Sequence, residues 1–246
     1  MPPNPPIRIA LMEAPSPSHE VSAKDVTASN GHAYRLYLAV PHDRPATGLD
    51  VLLDGNAAFG ALTPDDLAAS PDRAVLGIGY RTEAGFDFDA RRSDYLPSDA
   101  DDFGRVLFRE ILPDVTSTLG LSDHRHALWG HSYGALFVLH ALLRKPSPIA
   151  HFWAASPSLW WNEGALIATL AEAELPQGSV TLSRGRSEHR RGTVPDENEG
   201  LYRALVDLLR REETLTLTEQ VYAGAVHRDA FDLAARQFVR EGASRR

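Results

Sequence analysis

The stretch that decides the fold is His126–Arg144, HALWGHSYGALFVLHALLR. Its first four residues are a short apolar run of strand type. Its last ten are apolar at helical length, and between them lies Gly130-His131-Ser132-Tyr133-Gly134. A serine on a tight strand-to-helix turn must take strained backbone angles, which lift its hydroxyl out toward substrate. Flanking glycines let so sharp a turn pass its neighbours without side-chain clashes. The helix that follows presents unpaired N–H groups and the positive end of its dipole to a developing oxyanion. The pattern G-x-S-x-G is weak evidence by itself. The apolar strand before it and the apolar helix after it make it specific.

Outward from this turn, short apolar runs alternate with helical patterns. Tyr34–Val40, Asp50–Leu53 and Ala74–Ile78 read as strands, and Asp101–Leu119 as an amphipathic helix that Pro113 would kink. After the turn come strand His151–Ala155, helix Glu163–Glu174, strand Val180–Ser183, helix Glu199–Arg211, strand Thr214–Tyr222 and helix Asp229–Arg240. This alternation predicts an α/β fold with a mostly parallel sheet and helices on both faces. In such sheets ligands bind beyond the carboxyl ends of the strands. Residues 1–20, rich in Pro and Ser, read as an irregular lead-in, and 21–246 as one domain.

Composition narrows the chemistry. The chain of 246 residues has no cysteine, which excludes disulfides, thiolate metal sites and a thiol nucleophile. Its net charge of −8 argues against a nucleic-acid or membrane-surface binder. The N-terminus lacks a basic start followed by a long apolar core, and no run is long enough to span a membrane, so the expectation is a soluble, cytoplasmic protein. All but Lys24 and Lys145 of the 25 basic residues are arginine. That bias reflects either base composition or recognition of planar anions by guanidinium forks. The sequence says nothing of oligomeric state.

A nucleophilic Ser132 needs a base. Among ten histidines, His19, His32, His42, His124 and His126 precede the turn, and His131 adjoins Ser132 and points elsewhere. His140 falls inside a helix and His151 at the wrong end of a strand, which leaves His189 and His227. His227 follows the last strand, where this architecture puts the base. The orienting acid belongs after the preceding strand, where Arg184–Arg191 holds Glu188 alone; Asp196 and Glu197 are the alternatives if that loop is longer. Oxyanion donors are expected from the backbone N–H of Tyr133 and, in the loop Asp54-Gly55-Asn56-Ala57, that of Asn56. Asp54 is expected to bond within its own turn.

These residues together resemble the putative-esterase (esterase D-like) branch of the α/β-hydrolase superfamily, and within it the ferric-siderophore trilactone esterases. The resemblance is carried by VLLDGNA (51–57), VLGIGYRT (75–82), FDFDARRSDYLP (86–97), FGRVLFREILPDV (103–115), ALWGHSYGALFVLHALL (127–143) and SPSLWWNEG (156–164). It covers about residues 34–240, and the SPSLWW run is its more discriminating part. It implies an α/β-hydrolase fold, with Ser132 as nucleophile, His227 as base and Glu188 as acid. It also implies a substrate that is a triester of a catecholate siderophore, bringing its own iron, and no metal or organic cofactor. So anionic a ligand needs a locally positive site in an acidic protein. Arg81, Arg91 and Arg92 follow one strand, and Arg184, Arg186, Arg190 and Arg191 another; they form either a collar around the site or ordinary solvated and ion-paired residues. Trp160, Trp161 and Phe59 offer flat contacts or core packing. The other readings are a general carboxylesterase or carbohydrate-ester esterase, an acyltransferase, and a non-catalytic binding protein on the same fold.

Overall fold

A computed structural model of the chain describes residues 6–13, 16–97, 100–121, 125–188 and 197–245. Eight strands, β1 (His19–Thr27), β2 (Ala33–Pro41), β3 (Leu49–Leu53), β4 (Ala74–Tyr80), β5 (His126–His131), β6 (Ile149–Ala155), β7 (Gly178–Gly185) and β8 (Leu215–Tyr222), form one sheet. Their order is β1-β2-β4-β3-β5-β6-β7-β8. β2 pairs antiparallel with both β1 and β4, and all other neighbours are parallel. The sheet is mostly parallel, as the β-α alternation predicts, and its strand order is that of the α/β-hydrolase fold, as the resemblance implies. The central strands β3, β4 and β5 are buried along their whole length, which is why they read as continuous apolar runs.

Each face of the sheet is covered. On β5 and β6, Leu128 and Phe152 point into the larger apolar cluster with Phe103, Phe137, Leu170 and Leu205. Their neighbours Trp129 and Trp153 point into the other, with Phe59, Phe231 and Phe238. The period of two along each strand thus sorts side chains between two helical layers. The C-terminal helix, His227–Arg240, lies in the second layer, and the helix after Ser132 (Tyr133–His140) in the first.

β1 and the helix ahead of β5 differ most from their sequence reading, and the short helices Ala10–Glu13, Gly55–Ala61, Pro64–Ala68 and Phe88–Tyr95 are additional to it. β1 was not expected, because HEVSAKDVT is mostly polar; it is an edge strand, largely exposed, with Lys24 and Asp25 on it. Charged residues of this kind discourage edge-to-edge pairing with other chains. The helix expected over Asp101–Leu119 is instead α-helical over Ala100–Val106 and Leu112–Thr118, joined by one π-helical turn, Leu107–Ile111. Pro113 has no N–H to donate and its ring crowds the carbonyl four residues back, so the wide turn ahead of it absorbs the misfit. Among the described residues no helix is long and apolar enough to cross a membrane.

Candidate active site

From β3 the chain passes to β4 on one side and then to β5 on the other. That reversal opens a crevice beyond the carboxyl ends of β3 and β5, where α/β sheets bind ligands. Ser132 stands at the end of β5 and Asp54-Gly55-Asn56 at the end of β3.

Ser132 has φ 60° and ψ −112°, a strained conformation for a residue with a side chain. Its N–H donates to the Ala155 carbonyl (3.0 Å), and its own carbonyl accepts from Leu136 N–H (3.2 Å), so β6 and the following helix hold the turn from both sides. A Cβ on Gly130 would lie 2.4 Å from the Gly134 carbonyl oxygen, so only glycine fits there. The first N–H groups of the helix, Tyr133 among them, have no intrahelical acceptor and face the crevice end of the dipole.

His227 is the first residue of the C-terminal helix rather than part of the loop before it. Its Nδ1 lies 3.4 Å from Oε2 of Glu188, a buried carboxylate. The other oxygen of Glu188 accepts from Ser156 Oγ (2.5 Å) and from Gly185 N–H (2.7 Å). Burial pushes this carboxyl up, but the bonds from His227, Ser156 and Gly185 outweigh it and hold Glu188 below the usual carboxylate range. Those bonds favour the charged form of the glutamate beside the His227 ring. The Ser132 hydroxyl does not bond His227 in this structure; it pairs with Ser158 Oγ at 2.9 Å.

His131, the neighbour of Ser132, packs against His227. Its ring centroid is 4.5 Å from that of His227, and its Nε2–H donates to the His227 carbonyl (3.0 Å). Burial, with the nearby His227 and Arg91, pushes its pKa well below the ordinary value, so this imidazole is neutral. Beside it is a buried ion pair: Arg91 Nε donates to Asp54 Oδ1 at 2.6 Å, and Arg91 Nη2 to the His131 carbonyl at 3.3 Å. Asp54 itself sits at φ 54° immediately before the helix Gly55–Ala61. The carboxamide of Asn56 donates to the carbonyls of Tyr80 (3.1 Å) and Thr82 (3.0 Å) and accepts from Tyr80 N–H (2.8 Å), tying that helix start to β4.

Ser132, His131, His227 and Arg91 share a cavity of about 540 Å³, with Phe86, Phe88 and Phe231 as its aromatic lining and Arg8, Arg228 and Asp232 as its further charged residues. Ala57 lines it, while its neighbour Asn56 is fully buried behind. Among the described residues the expected arginine collar is not assembled there. Arg91 reaches the cavity but is turned inward by Asp54 and stacks 5.1 Å from the Phe86 ring. Arg184 pairs with Glu199 and lies 4.3 Å from the Tyr202 ring centroid. Arg81 is exposed beside Asp25 (3.4 Å), and Arg92 and Arg186 are exposed and do not line the cavity. Trp160 does not line it either; its backbone N–H donates to Asn198 Oδ1 (3.2 Å) and its ring packs beside Tyr133 and Trp161. Phe59 is core, stacked on Tyr37. Asp54 serves Arg91 rather than its own turn. His189, Arg190, Arg191 and Asp196 lie outside the described residues, and Glu197 opens the helix Glu197–Arg211. Ser156 and Ser158 lie in the SPSLWW run, where no local signal marks which of them meets Glu188 and which Ser132. Among the described residues no cluster of His, Asp and Glu is placed to hold a metal ion.

The family model described as "Putative esterase" matches residues 27–217. The apo-salmochelin esterase of Escherichia coli O6:H1 is 30% identical over 195 residues, which is 65% of this chain and 61% of that protein. The chain thus spans less than two thirds of that relative. The ferri-bacillibactin esterase BesA of Bacillus subtilis is 25% identical over 217 residues, 73% of this chain and 75% of the relative. Among solved structures, the enterobactin and salmochelin hydrolase IroE superposes with a TM-score of 0.79 at 24% identity, covering 95% of this chain and 99% of IroE; this likeness bears on the fold.

Proposed function

The chain belongs to the putative-esterase family, and from that premise we propose that it is a serine esterase that hydrolyses the ester bonds of a catecholate siderophore trilactone. The observation that carries the proposal is that Ser132 and His227 line one cavity while buried Glu188 stands behind His227, its Oε2 3.4 Å from the His227 Nδ1. The names of the relatives, esterases of salmochelin and bacillibactin, support the substrate class. Aromatic rings from Phe86, Phe88 and Phe231 beside the cations of Arg8 and Arg228 suit an anionic aryl ligand.

In this reading Ser132 leaves Ser158 and donates to His227 Nε2 when substrate enters. Its oxygen attacks the ester carbonyl carbon as its proton passes to His227. The oxyanion rests on the N–H groups of Tyr133 and Asn56. Glu188 accepts the Nδ1–H bond and stabilises the imidazolium, which then protonates the leaving alcohol. Water, deprotonated by the same imidazole, cleaves the acyl-enzyme and returns Ser132. Neutral His131 holds the His227 backbone carbonyl without adding a charge beneath the base.

A second reading, a general carboxylesterase, is favoured by one observation: Arg81, Arg92, Arg184 and Arg186 stand away from the cavity. Product analysis after incubation with ferric and iron-free enterobactin-type trilactones, alongside simple nitrophenyl esters, separates the two. Higher kcat/KM for either trilactone than for the simple esters supports the proposal. Trilactones left intact while simple esters are hydrolysed would leave the carboxylesterase.

A further inference from the structure

Pro6, Ile7 and Arg8, part of the segment that reads from sequence as an irregular lead-in, line the same cavity as Ser132 and His227. They are fixed there by several independent contacts. Pro6 forms an antiparallel bridge with Ala84, and Ile7 N–H donates to the Glu83 carbonyl at 2.8 Å. The short helix Ala10–Glu13 that follows buries Leu11 to 2% exposure in the cluster containing Ala57 and Phe59. The Ile7 side chain is accommodated by two glycines: a Cβ on Gly60 would lie 2.6 Å from Ile7 Cδ1, and one on Gly85 would lie 3.1 Å from it. Both glycines also line the cavity, so the space they leave is filled by Ile7.

We propose that Ile7 is a specificity-determining residue, an apolar wall that sets how bulky an ester is admitted beside Ser132. The inference rests on the esterase reading. It follows from packing: at the cavity edge the sec-butyl group is the nearest neighbour of a Cβ built on Gly60 or on Gly85, with the Ala57 methyl next at Gly85 (3.6 Å). Shortening it gives that space to the ligand, and enlarging it takes space away. Hydrophobic walls discriminate by about 10–200-fold per methylene-sized change, so the effect is well within kinetic resolution.

The test compares wild type, Ile7→Ala and Ile7→Phe on nitrophenyl acetate and nitrophenyl naphthoate. Active-site titration with a small fluorophosphonate normalises each preparation to its competent fraction. The readout is the ratio of kcat/KM for the bulky ester to that for the small one. Ile7→Ala is expected to raise this ratio about tenfold and Ile7→Phe to lower it. A ratio unmoved in both variants, with titratable enzyme and active wild type, overturns the inference and leaves the esterase reading intact. Absence of both labelling and hydrolysis in wild type overturns the esterase reading itself. If Ile7→Ala yields no titratable enzyme, the direction of the ratio in Ile7→Phe decides.

Discussion

Arg91→Met removes the cation from the ion pair that underlies the site while keeping an unbranched side chain of similar length. Arg91 lies on the helix Phe88–Tyr95, its side chain 6% exposed against 0% for Asp54. Burial holds the Asp54 carboxyl above the usual carboxylate range, and Arg91 is the group that opposes that rise. Without that cation Asp54 must remain charged and unpaired in a low-dielectric interior or take up a proton. Breaking a buried pair from one side costs about 3–5 kcal/mol. In a domain of this size each kcal/mol moves Tm by about 2–4 °C, so a fall of roughly 6–20 °C is expected. Replacing both partners, Asp54→Asn with Arg91→Met, removes the stranded charge and is expected to recover much of the loss. The assay is thermal unfolding followed by circular dichroism near neutral pH, with kcat and KM for a nitrophenyl ester measured alongside. A Tm within about 2–4 °C of wild type (about 1 kcal/mol) together with a raised KM would refute this structural role. It would return Arg91 to the substrate-binding role that its place in the sequence suggests.

Three further outcomes are expected. Buried His131 stays neutral in the folded state, whereas in the unfolded chain it binds a proton below about pH 6.5. Its contribution is fully present above that pH and is lost as pH falls, at up to about 1.4 kcal/mol per unit. Denaturant titrations should therefore show a shallower acid decline for His131→Gln than for wild type; identical slopes would contradict it. Glu188→Gln should lose less kcat/KM than His227→Ala, leaving activity on the order of tens of times higher, since an orienting acid contributes less than the base. Equal losses would mean that Glu188 does more than orient. Gly130→Ala sets a Cβ 2.4 Å from the Gly134 carbonyl and should abolish labelling of Ser132 by a fluorophosphonate in a protein that still melts cooperatively. Normal labelling would show that the turn tolerates the methyl group.

The serine turn is legible from sequence because its determinants are local: small residues where the backbone must pass itself, with strand and helix patterns on either side. His227 and Glu188 are singled out by elimination, since the order of strands leaves few residues of the right type at the right ends. The arginines are misplaced for a physical reason. Position after a strand fixes which end of the sheet a residue occupies, but not which way its side chain turns. Arg91 turns inward because Asp54 is there to receive it, and Arg184 turns to Glu199 and Tyr202 of the helix that follows its strand. Both pairings are tertiary and leave no local pattern. The same holds for the Ser132–Ser158 bond, and for Ile7, whose Pro-rich surroundings hide the fact that two glycines far along the chain make room for it. β1 is unrecognised because an exposed edge strand carries no apolar alternation.

The central claim is that Ser132 attacks an ester carbonyl with His227 as its base. Mass spectrometry of the protein after brief incubation with a fluorophosphonate, with peptide mapping of the adduct, tests it most directly. A single phosphonyl adduct is expected on the peptide bearing Ser132, its formation strongly slowed in His227→Ala and absent in Ser132→Ala, with ester hydrolysis lost in the same two variants. An adduct on another residue, or ester hydrolysis that persists in Ser132→Ala, would contradict it.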